Sequence, residues 1–90
     1  MNDDAIDERR VRWHSRRGML ELDLVLMPFA EQVYPGLDRS DKLRYRELLA
    51  CEDADLFAWI LHREPVSAPE LAHIIGLVLE HGRSRIEHSN

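Results

Sequence analysis

The stretch that decides the fold is LELDLVLMPFAEQV, residues 20–33. Its apolar side chains recur at the i, i+3, i+4, i+7 and i+11 spacing of one helix face, and they are Leu22, Val25, Leu26, Phe29 and Val33. Residues 20–24 also alternate as a strand would, but the alternation ends at Val25 and Leu26. The longer window therefore predicts a helix. Pro28 is expected to kink or split it, because proline cannot donate to the helical hydrogen-bond ladder.

A first helix is expected before this stretch, from about Ala5 to Arg16, with Asp3 or Asp4 as its N-cap. It carries few bulky apolar residues, which predicts a position on the surface of the protein. Gly18 follows it, as glycine commonly does at the C-terminus of a helix.

Three more helices are expected after Pro35-Gly36, which ends the second one. The third helix is predicted to begin after Ser40 as its N-cap and to end at about Cys51. The fourth is predicted to begin at Asp53 or Asp55. The fifth is predicted to begin with a Ser67–Glu70 capping box and to end at Gly82. The sequence therefore predicts an all-α fold, a compact five-helix bundle in a single domain, 1–90. Its ordered core is expected over about 5–82, and 83–90 form a polar C-terminal tail.

Composition excludes several classes of protein. With 90 residues, 44% of them hydrophobic and 32% charged, the chain has the make-up of one soluble globular domain. Its formal net charge of -5 argues against general binding of nucleic acid, which needs a basic surface. No run of apolar residues is long enough to insert into a membrane, and the acidic N-terminus does not resemble a targeting segment. A bacterial cytoplasmic protein is expected.

The residues that could carry chemistry lack the spacing that chemistry needs. The five histidines are scattered and form no metal-ligand pair. Cys51 is the only cysteine, and a buried, inert thiol is favoured over a nucleophile. The acidic cluster Glu52, Asp53 and Asp55 is interpreted as the start of a helix. We therefore expect no catalytic residues, no metal and no cofactor bound by the chain itself, and we do not expect an enzyme.

The turn Arg17-Gly18-Met19-Leu20-Glu21 is the strongest candidate for a binding site. Helix termination explains Gly18, and the helix dipole explains Glu21. Neither explains the pair Arg16-Arg17, and a glycine between charges of both signs would let a partner's backbone approach closely. From the residues alone, a purely structural turn and a partner-binding turn both stay open. The alternative function is that of a small helical regulatory adaptor, such as an antitoxin-like or cell-division partner, that binds another protein.

Several motifs around this turn resemble the SdhE (YgfY) family of FAD assembly factors. WHSRRGMLELD at residues 13–23 is similar to the family's R-R-G-M-x-E-L-D signature, which is built on R-G-x-x-E. MPF at 27–29 with Glu31 and Tyr34 follows, then Leu48-Leu49 with Asp53, Asp55-Leu56 and Trp59, and then Pro65. The family commonly has a glycine before this proline, whereas here Leu61-His62-Arg63-Glu64 precedes it. The resemblance covers roughly residues 8 to 80.

This resemblance implies a five-helix bundle that binds the immature flavoprotein subunit of succinate dehydrogenase, and that of fumarate reductase in bacteria that have it. Such a factor promotes covalent attachment of FAD to a histidine of that subunit, so FAD is the partner's cofactor. Carried onto this chain, the partner-binding motif falls on Arg17, Gly18 and Glu21, with Arg16 and Met19 completing it. The free protein is expected to be a monomer.

Overall fold

A computed structural model describes residues 3–88 of the chain. Its helices are α1 (Asp3–Ser15), α2 (Leu20–Gln32), α3 (Arg39–Leu49), α4 (Asp53–Leu56) and α5 (Ala72–His88). A π-helical segment, Phe57–Leu61, continues α4, and short 3₁₀ turns occupy Tyr34–Gly36 and Pro69–Leu71. Within residues 3–88 there is no strand, so the predicted all-α, five-helix fold is confirmed.

Helix α2 lies at the centre of the bundle, where it contacts α1, α5 and the π-helical segment. Leu22, Leu26 and Phe29 of the predicted stripe are fully buried, and Val25 and Val33 pack half-buried against the same core. Burying one such side chain contributes roughly 1.5–3 kcal/mol, several times the contribution of a surface ion pair. The predicted apolar face of α2 is therefore confirmed, and it is the main source of stability at the centre of the fold.

Pro28 lies inside α2 without splitting it. A proline at this position leaves the carbonyl of Leu24, four residues earlier, without its helical N–H donor. Nη1 of Arg85, on α5, donates to the Leu24 carbonyl oxygen at 3.2 Å. The expected split of the helix is therefore wrong, since α2 is continuous from Leu20 to Gln32, and a side chain of another helix donates to the carbonyl that Pro28 leaves without its helical donor.

Helix α1 packs its buried Val11 into the core and is also attached to the bundle through polar contacts of two tyrosines. The Tyr34 hydroxyl donates to Oδ2 of Asp7 at 2.5 Å and accepts from Nη1 of Arg46 at 2.8 Å. Burial, with the hydrogen bond to Asp7, raises the pKa of Tyr34 to about 12, so its hydroxyl keeps the proton that it donates. At the other end of α1, the Ser15 hydroxyl lies 2.8 Å from the buried Tyr45 hydroxyl. These contacts set the position at which α1 ends.

Two of the predicted caps are wrong. The side chain of Asp38, not Ser40, caps α3 by accepting a hydrogen bond from the Asp41 N–H at 2.8 Å. The capping box at Ser67 does not form, because the chain enters a 3₁₀ turn with Ala68 at its N-cap and no side-chain cap. In both cases the helical conformation begins at a residue other than the one that the local pattern indicated.

The expected end of the fifth helix at Gly82 is also wrong, because α5 continues to His88. A Cβ added at Gly82 would contact Cγ1 of Val25 at 3.9 Å, so this glycine lies where α5 packs against α2. The predicted polar tail is thus helical over most of its length, and its last two residues lie outside the described part of the chain.

Candidate functional site

The turn between α1 and α2 adopts a conformation that favours glycine. Gly18 has φ +79°, in the left-handed region that residues with a side chain adopt at a cost. A Cβ added at this position would meet no atom within 4 Å. The backbone therefore favours glycine here, while the space next to Gly18 is open to solvent or to a partner.

Arg17 points into the protein and holds the junction between α3 and α4. Its Nε lies 2.6 Å from Oδ1 of Asp53, its Nη1 donates to the Leu49 carbonyl at 2.8 Å, and its Nη2 donates to the Cys51 carbonyl at 2.9 Å. A further bond reaches the carbonyl of His14 at the end of α1. The side chain is only 16% exposed. One guanidinium thus joins the end of α1 to the α3–α4 junction.

The backbone of the turn is fixed to the first turn of α2. Oδ1 of Asp23 accepts a hydrogen bond from the Arg17 N–H at 2.7 Å. The Asp23 N–H in turn donates to the Met19 carbonyl at 2.9 Å. With the guanidinium contacts, these bonds hold the turn in one conformation, and the residues that it exposes are presented on a rigid support.

The structure separates the five predicted binding residues into two groups. Arg16, Gly18 and Glu21 are exposed, and no side chain within residues 4–85 forms a hydrogen bond or an ion pair with the side chain of Arg16 or Glu21. Met19 is half-buried against the core, and Arg17 is engaged internally. Direct contact of all five with a partner stays a prediction, but the geometry offers three of them to solvent.

Three large apolar side chains near the turn are exposed, and of these only Leu20 lies within the turn that the sequence predicts as the binding site. Trp13 on α1 is 71% exposed, and Leu20 and Leu24 on α2 are 72% and 59% exposed. Leu20 and Leu24 are four residues apart and lie opposite the buried stripe of α2, a signal that a helical projection of the sequence contains. Exposed apolar side chains of this size beside a charged turn are typical of a protein-binding surface.

The other residues that the sequence offered as candidates for chemistry either lie away from this exposed surface or help to hold the turn in place. Cys51 is half-buried, its Sγ lies 3.6 Å from the Glu47 carbonyl, and burial raises the pKa of its thiol, so the inert interpretation is favoured. Asp53 opens α4, as expected, and also pairs with Arg17. Among the described residues, no group of three or more His, Cys, Asp or Glu side chains is arranged to hold a metal ion. No helix of the described part is long and apolar enough to cross a membrane.

Comparison with known proteins identifies the family. Residues 9–82 match Sdh5, the flavinator of succinate dehydrogenase. The FAD assembly factor SdhE of Pseudomonas aeruginosa is 47% identical over 77 residues, which cover 86% of this chain and 92% of that protein. The protein of the same name from Shewanella oneidensis is 50% identical over 66 residues, covering 73% and 80%. A solution structure of a UPF0350 protein superposes with a TM-score of 0.73 at 35% identity, over 98% of this chain and 93% of the other. The chain therefore belongs to the SdhE/Sdh5 family of flavinylation factors.

Proposed function

We propose that this protein is an assembly factor that binds the immature flavoprotein subunit of succinate dehydrogenase and promotes covalent attachment of FAD to it. The observation that carries the proposal is the rigid turn at Gly18, which exposes Arg16 and Glu21 beside the apolar side chains of Leu20 and Leu24. Charged groups of both signs next to apolar surface can give a partner both affinity and a defined orientation. Membership of the family supplies the class of partner.

The factor acts on this proposal as a scaffold and not as an enzyme. Holding reacting groups in the correct orientation contributes several kcal/mol to a rate without adding a chemical group. The flavoprotein would then perform its own flavinylation, with FAD as its cofactor, while the factor stabilises the conformation in which flavin and acceptor side chain meet. We extend the proposal to the flavoprotein subunit of fumarate reductase as a second client, to a monomeric free state, and to action in the bacterial cytoplasm.

The site is tested by co-expressing the flavoprotein subunit with Glu21→Ala or Gly18→Asn and measuring covalent flavin fluorescence of the denatured subunit on a gel. Asparagine tolerates the left-handed conformation, so Gly18→Asn adds a side chain to the surface with little backbone strain. Both variants are expected to keep the helical circular dichroism spectrum and to lower covalent flavin several-fold, as loss of a central interface contact does.

The matched control is Glu64→Ala, which removes an exposed carboxylate that lies outside the turn and outside α2. It is expected to leave covalent flavin at the wild-type level. Full flavinylation by Glu21→Ala and Gly18→Asn, in proteins that are folded and expressed equally, would show that this turn is not the contact. A factor that is inactive on the subunit even as wild type would instead overturn the proposed client.

A further inference from the structure

A second surface is a groove between α2, the end of the π-helical segment and α5, and it shares Leu24 with the surface around the turn. Its volume is about 710 Å³. Apolar side chains form much of its lining, and they are Leu24, Val25, Ile60, Leu61 and Leu79. Because three separate elements contribute these side chains, the groove is a product of the bundle and not of any one helix.

The edge of this groove is basic, although the whole chain has a formal charge of -5. Its charged lining residues are Arg63, Arg83 and Arg85. Arg83 forms an ion pair with Glu80 at 3.0 Å, so its charge is largely compensated. Arg85 donates to a backbone carbonyl, and none of the carboxylates within residues 4–85 forms an ion pair with Arg63 or Arg85. Two positive charges therefore remain available beside an apolar floor.

Arg63 occupies a backbone conformation that would be more stable with glycine. Its φ is +55°, and it is the only residue other than glycine with positive φ in the described part of the chain. The next N–H, that of Glu64, donates at 3.0 Å to the carbonyl of Ala58, six residues earlier. Arg63 is therefore the residue just past the end of the helical segment, a position at which glycine is common. A side chain kept at the expense of backbone strain, on the edge of a groove, points to a use for that side chain.

We propose that this groove binds an acidic amphipathic helix of a partner protein, through apolar side chains on its floor and carboxylates at Arg63 and Arg85. A helix about 10 Å wide presents the convex apolar stripe that a concave groove accepts. An anionic membrane or a nucleic acid would extend beyond the groove and be repelled by the acidic remainder of the surface, whereas a single helix meets only the groove and its basic edge. This proposal does not depend on the function proposed for the turn.

The test is fluorescence anisotropy of the full chain with labelled helical peptides that share one apolar face flanked by either glutamates or lysines. The glutamate peptide is expected to bind at least roughly tenfold more tightly than the lysine peptide, and this preference is expected to weaken with salt. Arg63→Gly and Arg63→Ala are both expected to weaken binding of the glutamate peptide about threefold, as loss of one partly exposed charge pair does.

The two Arg63 variants separate binding from folding. Arg63→Gly relieves the strained backbone and is expected to raise the thermal midpoint by about 2–6 °C, whereas Arg63→Ala keeps the strain and does not. Weaker peptide binding by a more stable protein cannot be an effect of unfolding. Arg9→Ala, an exposed arginine of α1, is the control and is expected to bind like wild type.

Equal binding of the glutamate and lysine peptides would overturn the proposal, as would no binding of either. It would also fail if Arg63→Gly, Arg63→Ala and Arg9→Ala were indistinguishable in binding. Vesicles containing anionic lipid form a further arm. Binding of vesicles without binding of the glutamate peptide would assign the groove to a membrane surface and contradict the proposed occupant.

Discussion

Two neighbouring arginines at the α1–α2 turn have opposite surroundings. Arg16 is exposed and bonds to no described residue through its side chain, whereas Arg17 is 16% exposed and joins three backbone carbonyls to Asp53. Sequence alone makes them equivalent. In the fold the side chain of Arg16 is open to solvent, whereas that of Arg17 is engaged within the protein and holds the turn in position.

Replacing Arg17 by Lys is expected to lower the free energy of unfolding by about 2 kcal/mol, because a single ammonium cannot bridge several carbonyls and a carboxylate at once. Urea unfolding followed by circular dichroism measures this loss. The matched variant Arg16→Lys is expected to stay within about 0.5 kcal/mol of wild type. Equal stability of the two variants would contradict the conclusion that Arg17 stabilises the fold by joining the end of α1 to the α3–α4 junction.

At the scale of the elements, α2 and α5 depend on one another through Pro28 and Arg85. Proline removes the N–H that would bond the Leu24 carbonyl, and Arg85 supplies a donor in its place at 3.2 Å. The same arginine lines the basic edge of the groove. A backbone hydrogen bond that is missing in one helix is thus replaced by a hydrogen bond from a side chain of another.

This dependence is expected to appear as coupling in a double-mutant cycle. Arg85→Met in the wild-type background should lower the free energy of unfolding by about 0.5–1 kcal/mol, the contribution of one exposed hydrogen bond. In a Pro28→Ala background the loss should be smaller, because the backbone N–H that this substitution restores can itself donate to the Leu24 carbonyl. Urea midpoints of the four proteins measure both losses. The same loss in both backgrounds would mean that the Arg85 contact does not replace the bond that Pro28 lacks.

At the scale of the whole molecule, His81 links α5 to α2 in a way that depends on pH. Its Nε2 lies 3.1 Å from Oε1 of Gln32, and its ring packs edge-on against Phe29 at 5.9 Å. The other ring nitrogen, Nδ1, is buried without a hydrogen-bond partner in the described structure. Burial, and secondly the charge of Arg85, lower the pKa of His81. The neutral ring, with its proton on Nε2, is the form that fits.

Stability is therefore expected to fall as the pH drops below about 6.5, the ordinary pKa of histidine, because the unfolded chain binds a proton that the folded chain disfavours. The contribution of neutral His81 to the free energy of unfolding is complete above this pH, and it is lost as the pH falls toward the lowered pKa of His81 in the folded state. Urea unfolding at pH 7.5 and 5.5 measures the difference. The difference in the free energy of unfolding between the two pH values should be smaller in His81→Gln. It should be unchanged in His62→Gln, which replaces an exposed histidine. An identical pH dependence in His81→Gln and wild type would rule out His81 as its source.

Local patterns were sufficient to predict much of the fold and the position of the turn between α1 and α2. The spacing of Leu22, Leu26 and Phe29 predicts the central helix and its buried face, since helical periodicity is a property of neighbouring residues. Gly18 marks the turn for the same reason. Caps were predicted less well, because several polar residues near a helix start can serve and the packing selects one. At α3 it selected Asp38 instead of Ser40.

By itself, the sequence determined the all-α class, the apolar face of α2 and the position of the exposed turn, because each depends on residues a few positions apart. Only the tertiary structure decided that Arg17 points inward to Asp53, that Arg85 completes the helix at Pro28, and that Arg63 stands at the edge of a groove. Arg17 and Asp53 are 36 residues apart in the chain, and Leu24 and Arg85 are 61 apart. No local spacing encodes such contacts, because they exist only once the helices have packed.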